Sequence, residues 1–434
     1  MNKAKEKAKF SLISLGCART LVDSENITNK LQDIGFQWVN EGNKEEVTIL
    51  NTCSFIQAAI DETEANIVEL INRKKKGIIK HLAVVGCYPS RFKTEALQLK
   101  YPDVDLWLTT QEQGQIQERL SELVFKKKFQ PNTQHAYTKF TPSHYSYLKI
   151  SEGCDNWCSF CTIPKIRGKH QSRPLEDILE TAKKQISFGA KELLLIAEDT
   201  TAWGEDIYGK PRFDLLLNEL AKLPVNWIRP MYIFPSRVDE KLINVIAKHS
   251  NITNYIDIPI QHVSDRILKS MNRRHDGAFL KQLMTSFVQK IPDIEIRTTF
   301  LLGYPGETEE EIDEVINFLE TFPVSQLGCF AFSQEKETRS FKLENQIPQD
   351  VIQKRVEKVM SKQYDLIQQR SAKKIGKTFD IIYEGHNYGR SQYQAPDVDG
   401  IIHIDDDTSK LVEGNFYKVE ITGHDQYDLI AKLV

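Results

Sequence analysis

Three short β-branched or aliphatic runs, "FSLISLG", "EVTILNTC" and "HLAVVGC", punctuate the first part of the chain, with amphipathic stretches such as "IDETEANIVELINRKKKG" between them. Apolar runs alternating with helix-period segments predict βα units and a parallel sheet over residues 1–123. The polar stretch "KKKFQPNTQHAYTKFTPSHYS" carries two prolines and predicts a linker over 124–144. From 145 the alternation resumes with six candidate strands, "YSYLKI", "ELLLIAED", "IRPMYIF", "YIDIPIQ", "IEIRTTFLLG" and "LGCFAFSQ". Repeated βα units of this length predict a partial (β/α)6 barrel with its active site at the carboxyl ends of the strands. A charged helix, "DVIQKRVEKVMSKQYDLIQQRSAKKIG", completes that domain near 370, and the short strands and turns of 371–434 predict a small all-β module. The fold class is therefore α/β with an appended β domain.

Composition narrows this picture. The 434 residues suffice for about three domains. No apolar run of membrane-spanning length occurs, and "MNKAKEKAKF" is a basic lead with no apolar segment behind it, so a cytoplasmic protein without a membrane partner is expected. Seven cysteines, an odd number in so long a chain, argue against a disulfide framework and for metal or redox chemistry. A net charge of -3 gives no whole-chain signal for nucleic acid.

The cysteines supply the candidate chemistry. "ISEGCDNWCSFCTIP" places Cys154, Cys158 and Cys161 in one loop after an apolar strand. Thiolates are soft ligands for zinc or iron-sulfur clusters. Structural zinc takes four protein ligands, and the nearest histidine, His170, stands nine residues beyond Cys161. Two readings follow: a zinc site completed from elsewhere, or a cluster with one open metal position. Cys17, Cys53 and Cys87 each end an apolar run. Taken singly they suit small buried residues at strand ends. Their shared position, with Gly16 and Gly86 permitting close backbone approach, favours a second ligand set. Cys329, in "QLGCFAFSQ", reads as a packed strand residue.

The C-x3-C-x2-C spacing, with Phe160 before the last cysteine, resembles the radical S-adenosylmethionine (SAM) superfamily. "SLGCARTLVDSE", "NTCSF", "VVGCYPSR", "CDNWCSFCTIPKIRGKHQSRP" and "RTTFLLGYPGETEEE", with a closing module similar to a TRAM domain, resemble the methylthiotransferases of that superfamily over nearly the whole chain. The resemblance implies two 4Fe-4S clusters, one on Cys154, Cys158 and Cys161 that binds and cleaves SAM, and one on Cys17, Cys53 and Cys87 that holds the sulfur to be inserted. It also implies that both clusters face one cavity, that a second SAM gives the methyl group, and that an electron donor serves the clusters.

Within the family, "LGCARTLVDSE", "DIPIQHVSDRILKSMNRR" and "YGRSQYQAPDVDG" resemble the RimO type. That branch modifies an aspartate β-carbon of small-subunit ribosomal protein twelve; the MiaB type modifies a tRNA adenosine. Glu198 stands where the RimO branch usually has Gln, and Ala18-Arg19 replace a common Pro-Lys. The span 371–434 carries seven Lys or Arg against eleven Asp or Glu, a balance that suits a basic protein loop as partner or merely a solvated acidic face; the RimO resemblance implies a ribosomal-protein partner and does not require nucleic acid.

Candidate SAM contacts lie at strand ends. Glu198 and Asp199 suit the amino group or ribose, Asp199 equally a helix N-cap. Gln261 follows the fourth strand with His262, which suits a substrate carboxylate or an exposed loop. Arg297 lies in the fifth strand, and Gly303 to Gly306 close it in a tight turn. Ile163 and Pro164 suit adenine packing or the shaping of the cysteine loop. The Tyr and His of "FTPSHYSY" read as linker packing. Outside this family the alternatives are a zinc-stabilised RNA-binding module and a two-cluster electron carrier without SAM chemistry.

Overall fold

The computed structural model describes residues 8–42, 44–126 and 137–434, so the middle of the expected linker, 127–136, lies outside the described residues. Two compact units divide the chain: one of Met1–Phe140, Gly153–Asp155 and Thr162–Lys169, the other of the remainder.

The first unit is built on β1 (Lys9–Ser14), β2 (Gln37–Trp38), β3 (Val47–Thr52), β4 (His81–Gly86) and β5 (Leu106–Thr109), all parallel, in the order β2-β1-β3-β4-β5. Every residue of β3 is buried, as expected for the centre of a parallel sheet covered on both faces. Alternation along the strands separates two cores: Phe10, Val47, Ile49, Ala83 and Val85 with the helix Ala18–Asp33 on one face, and Leu50, Leu82, Val84 and Trp107 with the helix Gln57–Lys75 on the other. The three runs read from the sequence are β1, β3 and β4. The flanking β2 and β5, of two and four residues, carry too little pattern to be seen there. Of the expected linker, Thr138 exchanges hydrogen bonds with Asn29, and Phe140 stacks on Trp38.

In the second unit, β6 (Tyr145–Lys149) leads into a small hairpin of β7 (Ser151–Glu152) and β8 (Gln171–Ser172). The parallel strands β9 (Glu192–Ile196), β10 (Trp227–Pro230), β11 (Tyr255–Asp257), β12 (Glu295–Leu302) and β13 (Val324–Ala331) follow. β6, β9 and β10 form one three-stranded sheet and β11, β12 and β13 another; the Ile228–Ile252 bridge connects the two halves of a six-stranded open barrel. Burial along β12 alternates strictly. Its buried members Ile296, Phe300 and Leu302 belong to the core beneath the helices, which leaves Arg297, Thr299 and Leu301 on the inner face. Thr308 and Glu311 start the helix Glu309–Thr321 with a reciprocal capping box.

After the long helix Gln349–Ala372 come β14 (Thr378–Gly385), β15 (Tyr388–Ser391), β16 (Ile402–Ile404), β17 (Phe416–Asp425) and β18 (Asp428–Leu433). They close a barrel in the order β14-β15-β16-β18-β17 around Ile381, Ile402, Val419, Ile421 and Ala431. This β module is fastened to the amino-terminal ends of the large barrel's strands. Arg390 reaches Glu192 at 2.9 Å and Glu384 at 2.6 Å, while Arg229 pairs with Glu192 at 2.6 Å. His144 meets Glu384 at 2.8 Å, and the Tyr145 and Tyr147 hydroxyls both donate to Asp397. The His and Tyr expected to be linker packing are thus docking groups.

Candidate functional site

Cys17, Cys53 and Cys87 follow the carboxyl ends of β1, β3 and β4, three adjacent strands whose register pairs Ser14 with Asn51 and Thr52 with Gly86. Close approach at this edge depends on two glycines with positive φ, Gly16 at 104° and Gly86 at 101°. A Cβ on Gly16 would stand 2.9 Å from the Cys53 Cβ, and one on Gly86 would overlap the Asn51 side chain. Asn51 is itself fixed, donating to the Thr20 carbonyl at 3.1 Å and to Ser24 Oγ at 2.9 Å. Thr63 donates to the Cys53 carbonyl at 2.8 Å, and Tyr88 N to Thr52 Oγ1 at 3.1 Å.

The three thiols lie within electrostatic reach of one another. Burial raises a thiol, yet at Cys17 it is outweighed by Arg19, the Thr20 backbone and Arg167, which bring the group down to about 7. Cys87, fully enclosed, is pushed up by burial to about 12 although Arg167 Nη2 donates to its Sγ at 3.5 Å. Sequence reasoning missed Arg167. It comes from the segment after Cys161, where the Ile166 carbonyl accepts from Thr110 Oγ1 at 3.2 Å and Gln111 Nε2 at 3.3 Å.

The cysteine loop 154–161 is held by backbone and side-chain hydrogen bonds. Cys154 N donates to the Gly168 carbonyl and Cys161 N to that of Cys158, each at 3.1 Å. Asn156 donates to Asp199 Oδ2 at 2.7 Å, and Arg237 bridges Asn156 Oδ1 at 2.6 Å and Asp199 Oδ2 at 2.9 Å. Asn272 donates to the Asn156 and Trp157 carbonyls. Arg273 Nη1 stands 3.5 Å from Cys158 Sγ, its Nη2 donates to the Pro259 carbonyl at 2.6 Å, and its guanidinium lies 4.0 Å over the Phe234 ring. Arg237 and Arg273 were also missed.

Among the described residues no three His, Cys, Asp or Glu side chains converge on the position of a single ion. The donors are all soft thiols, each set has three, and each has an arginine beside one sulfur, so the residues fit two clusters with an open iron apiece.

The expected SAM contacts divide. Asp199 is buried and caps the turn Thr200–Ala202, accepting from Thr201 Oγ1 at 2.6 Å and Ala202 N at 3.2 Å. Glu198 precedes it at the end of β9. Gln261 follows β11 with φ 73°, its backbone bridging to Phe300 of β12. His262 is not on an exposed loop: it is fully buried, accepts from Ser264 N, and lies 3.4 Å from Glu307. The Gly303 amide donates to Glu307 Oε1 at 2.9 Å, and a side chain there would overlap Ile352 of the long helix. Gly306 N donates to the Asn345 carbonyl. Ile163 and Pro164 begin the short helix Ile163–Ile166, with Pro164 buried. Arg297 is not brought to this end of the barrel; near the start of β12 it pairs with Asp399 of the β module at 2.5 Å. Cys329 packs in β13, where burial pushes its thiol up to about 12.

Comparison with known proteins agrees with this layout. Residues 148–319 match the radical SAM superfamily, 9–109 an uncharacterised family, UPF0004, and 375–434 the TRAM domain. A ribosomal protein uS12 methylthiotransferase RimO from Alkaliphilus oremlandii is 38% identical, the match covering 97% of this chain and 98% of that protein. Its counterpart from Geobacter sulfurreducens is 35% identical over the full length of both. Among solved structures, the radical SAM methyltransferase TsrM from Kitasatospora setae shares the fold at a TM-score of 0.57 and 12% identity, over 75% of this chain and 72% of that one. The cobalamin-dependent SAM radical enzyme OxsB does so at 0.53 and 12%, over 85% and 61%.

Proposed function

Because the chain belongs to the family of ribosomal protein uS12 methylthiotransferases, a branch of the radical SAM enzymes, we propose that it inserts a methylthio group at the β-carbon of an aspartyl residue of uS12. The observation that carries the sulfur-insertion chemistry is the doubled shortage of ligands, three thiols in one loop and three more on adjacent strand ends, with an arginine on each set; the uS12 substrate is supported by the full-length relatives. When bound, SAM and the two 4Fe-4S clusters supply reductive radical formation, sulfur and the methyl group.

The chain's own residues hold and orient these groups. Cys154, Cys158 and Cys161 are the ligands of the SAM-binding cluster, and Cys17, Cys53 and Cys87 those of the second. Asn156, Asp199 and Arg237 form a buried hydrogen-bonded brace that keeps the cysteine loop in one conformation. Arg273 places a cation beside Cys158, where it offsets the charge of a thiolate-bound cluster. Glu198 and Gln261, at the ends of β9 and β11, are the side chains we assign to SAM, with Ile163 and Pro164 beside the adenine. Gly303 and Gly306 shape the turn after β12 and contribute backbone there. Arg297 and Asp199 serve the architecture through Asp399 and Asn156. Hydrogen abstraction by a radical requires no general base, so none is assigned. The substrate is met in the cytoplasm as a basic loop, and an electron donor of low potential is required; no helix among the described residues is long and apolar enough to cross a membrane.

Anaerobic reconstitution with iron and sulfide should load about eight irons per chain. The reduced protein, given SAM together with a uS12 loop peptide and an anticodon stem-loop RNA, should add the mass of a methylthio group to the peptide. Modification of the RNA alone would replace the substrate, and absence of 5'-deoxyadenosine would replace the chemistry.

A further inference from the structure

Arg167 is buried, with its guanidinium between a carboxylate and a cysteine sulfur. Nη2 stands 3.5 Å from Cys87 Sγ, and Nη1 stands 3.3 Å from Asp23 Oδ2 on the helix Ala18–Asp33 that begins directly after Cys17. Its charge also acts on Cys17 and Cys53, so one cation serves the whole dispersed set. Its position is set from both sides: the Ile166 carbonyl is held by Thr110 and Gln111, and Thr162 Oγ1 reaches the Phe55 carbonyl at 3.4 Å. A buried guanidinium needs anionic partners. Asp23 supplies one at 3.3 Å, and Nη2 is turned to the Cys87 sulfur.

Potentials of iron-sulfur clusters follow their net charge and the hydrogen bonds to their sulfurs. A cation in contact with a ligand sulfur favours the reduced, more negative state and raises the potential. A carboxylate behind that cation opposes it. We propose that Arg167, held and partly offset by Asp23, is a positioning residue that sets the reduction potential of the cluster on Cys17, Cys53 and Cys87, with Asp23 as the counterweight. The inference rests on the proposed second cluster. It gives the stretch following the SAM-loop cysteines a second task, at a cluster to which it contributes no ligand.

The test uses the full chain carrying Cys154→Ala, Cys158→Ala and Cys161→Ala, reconstituted anaerobically, so that any remaining cluster signal belongs to the dispersed set. About four irons per chain are expected in this parent; a parent that holds no cluster overturns the second-cluster reading itself. In the loaded parent, potentiometric titration followed by electron paramagnetic resonance should show Arg167→Gln moving the midpoint to more negative potential and Asp23→Asn moving it to more positive potential. Arg167→Lys, which keeps the charge but loses the planar fork, should fall between the parent and Arg167→Gln. A loaded parent whose midpoint stays unmoved in both variants, or moves the same way in both, overturns the inference about Arg167 alone. If Arg167→Gln does not take up iron, the direction in Asp23→Asn decides: a positive shift supports the proposal, and no shift or a negative one overturns it.

Discussion

Gly86 occupies one of the most crowded backbone positions in the first unit, at φ 101° with the Asn51 side chain and the Thr52 backbone where a Cβ would stand. Gly86→Ala is expected to cost about 1–3 kcal/mol through backbone strain and to displace Cys87, which follows it. A lowered melting temperature and loss of roughly half the iron after reconstitution would be the readout. A second expectation concerns His275, which burial and then the Arg273 charge bring down to about 3. A histidine with a depressed folded pKa stabilises the fold fully above its unfolded value of about 6.5, and that stability is lost as pH falls, because only the unfolded chain binds the proton. Urea unfolding between pH 7 and 4 should therefore show about one proton less of pH dependence in His275→Gln than in the parent. The placement of Cys17, Cys53 and Cys87 at strand ends and of Cys154, Cys158 and Cys161 in one loop was legible because spacing and strand-end position are local. Arg167 and Arg273 were not, since they meet Cys87 and Cys158 across 80 and 115 residues and a single arginine carries no periodic signal.

At the scale of elements, period-2 and buried runs identified β1, β3, β4 and the six strands of the large barrel, because each must bury a face. The same logic failed for β2 and β5, too short to show a pattern, and for the residues 144–147, where pairing with the β module was read as packing. Arg297 illustrates the limit: the strand was legible, its end was not. Its inner-face position in β12 is at the start of the strand, where Asp399 and Tyr255 surround it. The docking network makes its own prediction. Burial raises the Glu192 and Glu384 carboxyls, but Arg229 and Arg390 on the first, and His144 and Arg390 on the second, hold both below the usual carboxylate range. Their contribution is complete above the unfolded value of about 4.3 and disappears as pH falls through the lower folded values. Arg390→Met should remove it at neutral pH, at about 3–5 kcal/mol, because buried carboxylates are left short of a partner. Denaturant unfolding followed from pH 7 to about pH 2 would check both sign and size.

For the molecule as a whole, three expected domains follow from alternation and module length, and the family assignment agrees with motifs read in order along the chain. The charge argument survives less well. Of the eleven acids in 371–434, Glu384, Asp397 and Asp399 face the large barrel, so fewer remain for a basic partner than composition implies. Cluster assignment gives the clearest global test. Cys17→Ala with Cys53→Ala and Cys87→Ala should halve the iron, preserve formation of 5'-deoxyadenosine and abolish methylthio transfer. Cys158→Ala should abolish both products, measured side by side by chromatography and mass spectrometry.

The fastening of the β module also constrains how such proteins can be recombined. Its segment from Glu384 to Asp399 is fitted to His144, Tyr145, Tyr147, Glu192, Arg229, Tyr255 and Arg297, residues scattered over more than 150 positions of the preceding domain. A chimera that exchanges only residues after 370 with a distant relative would bring together halves of two unrelated sets of charges. Grafting those seven positions along with the module keeps lock and key from the same parent.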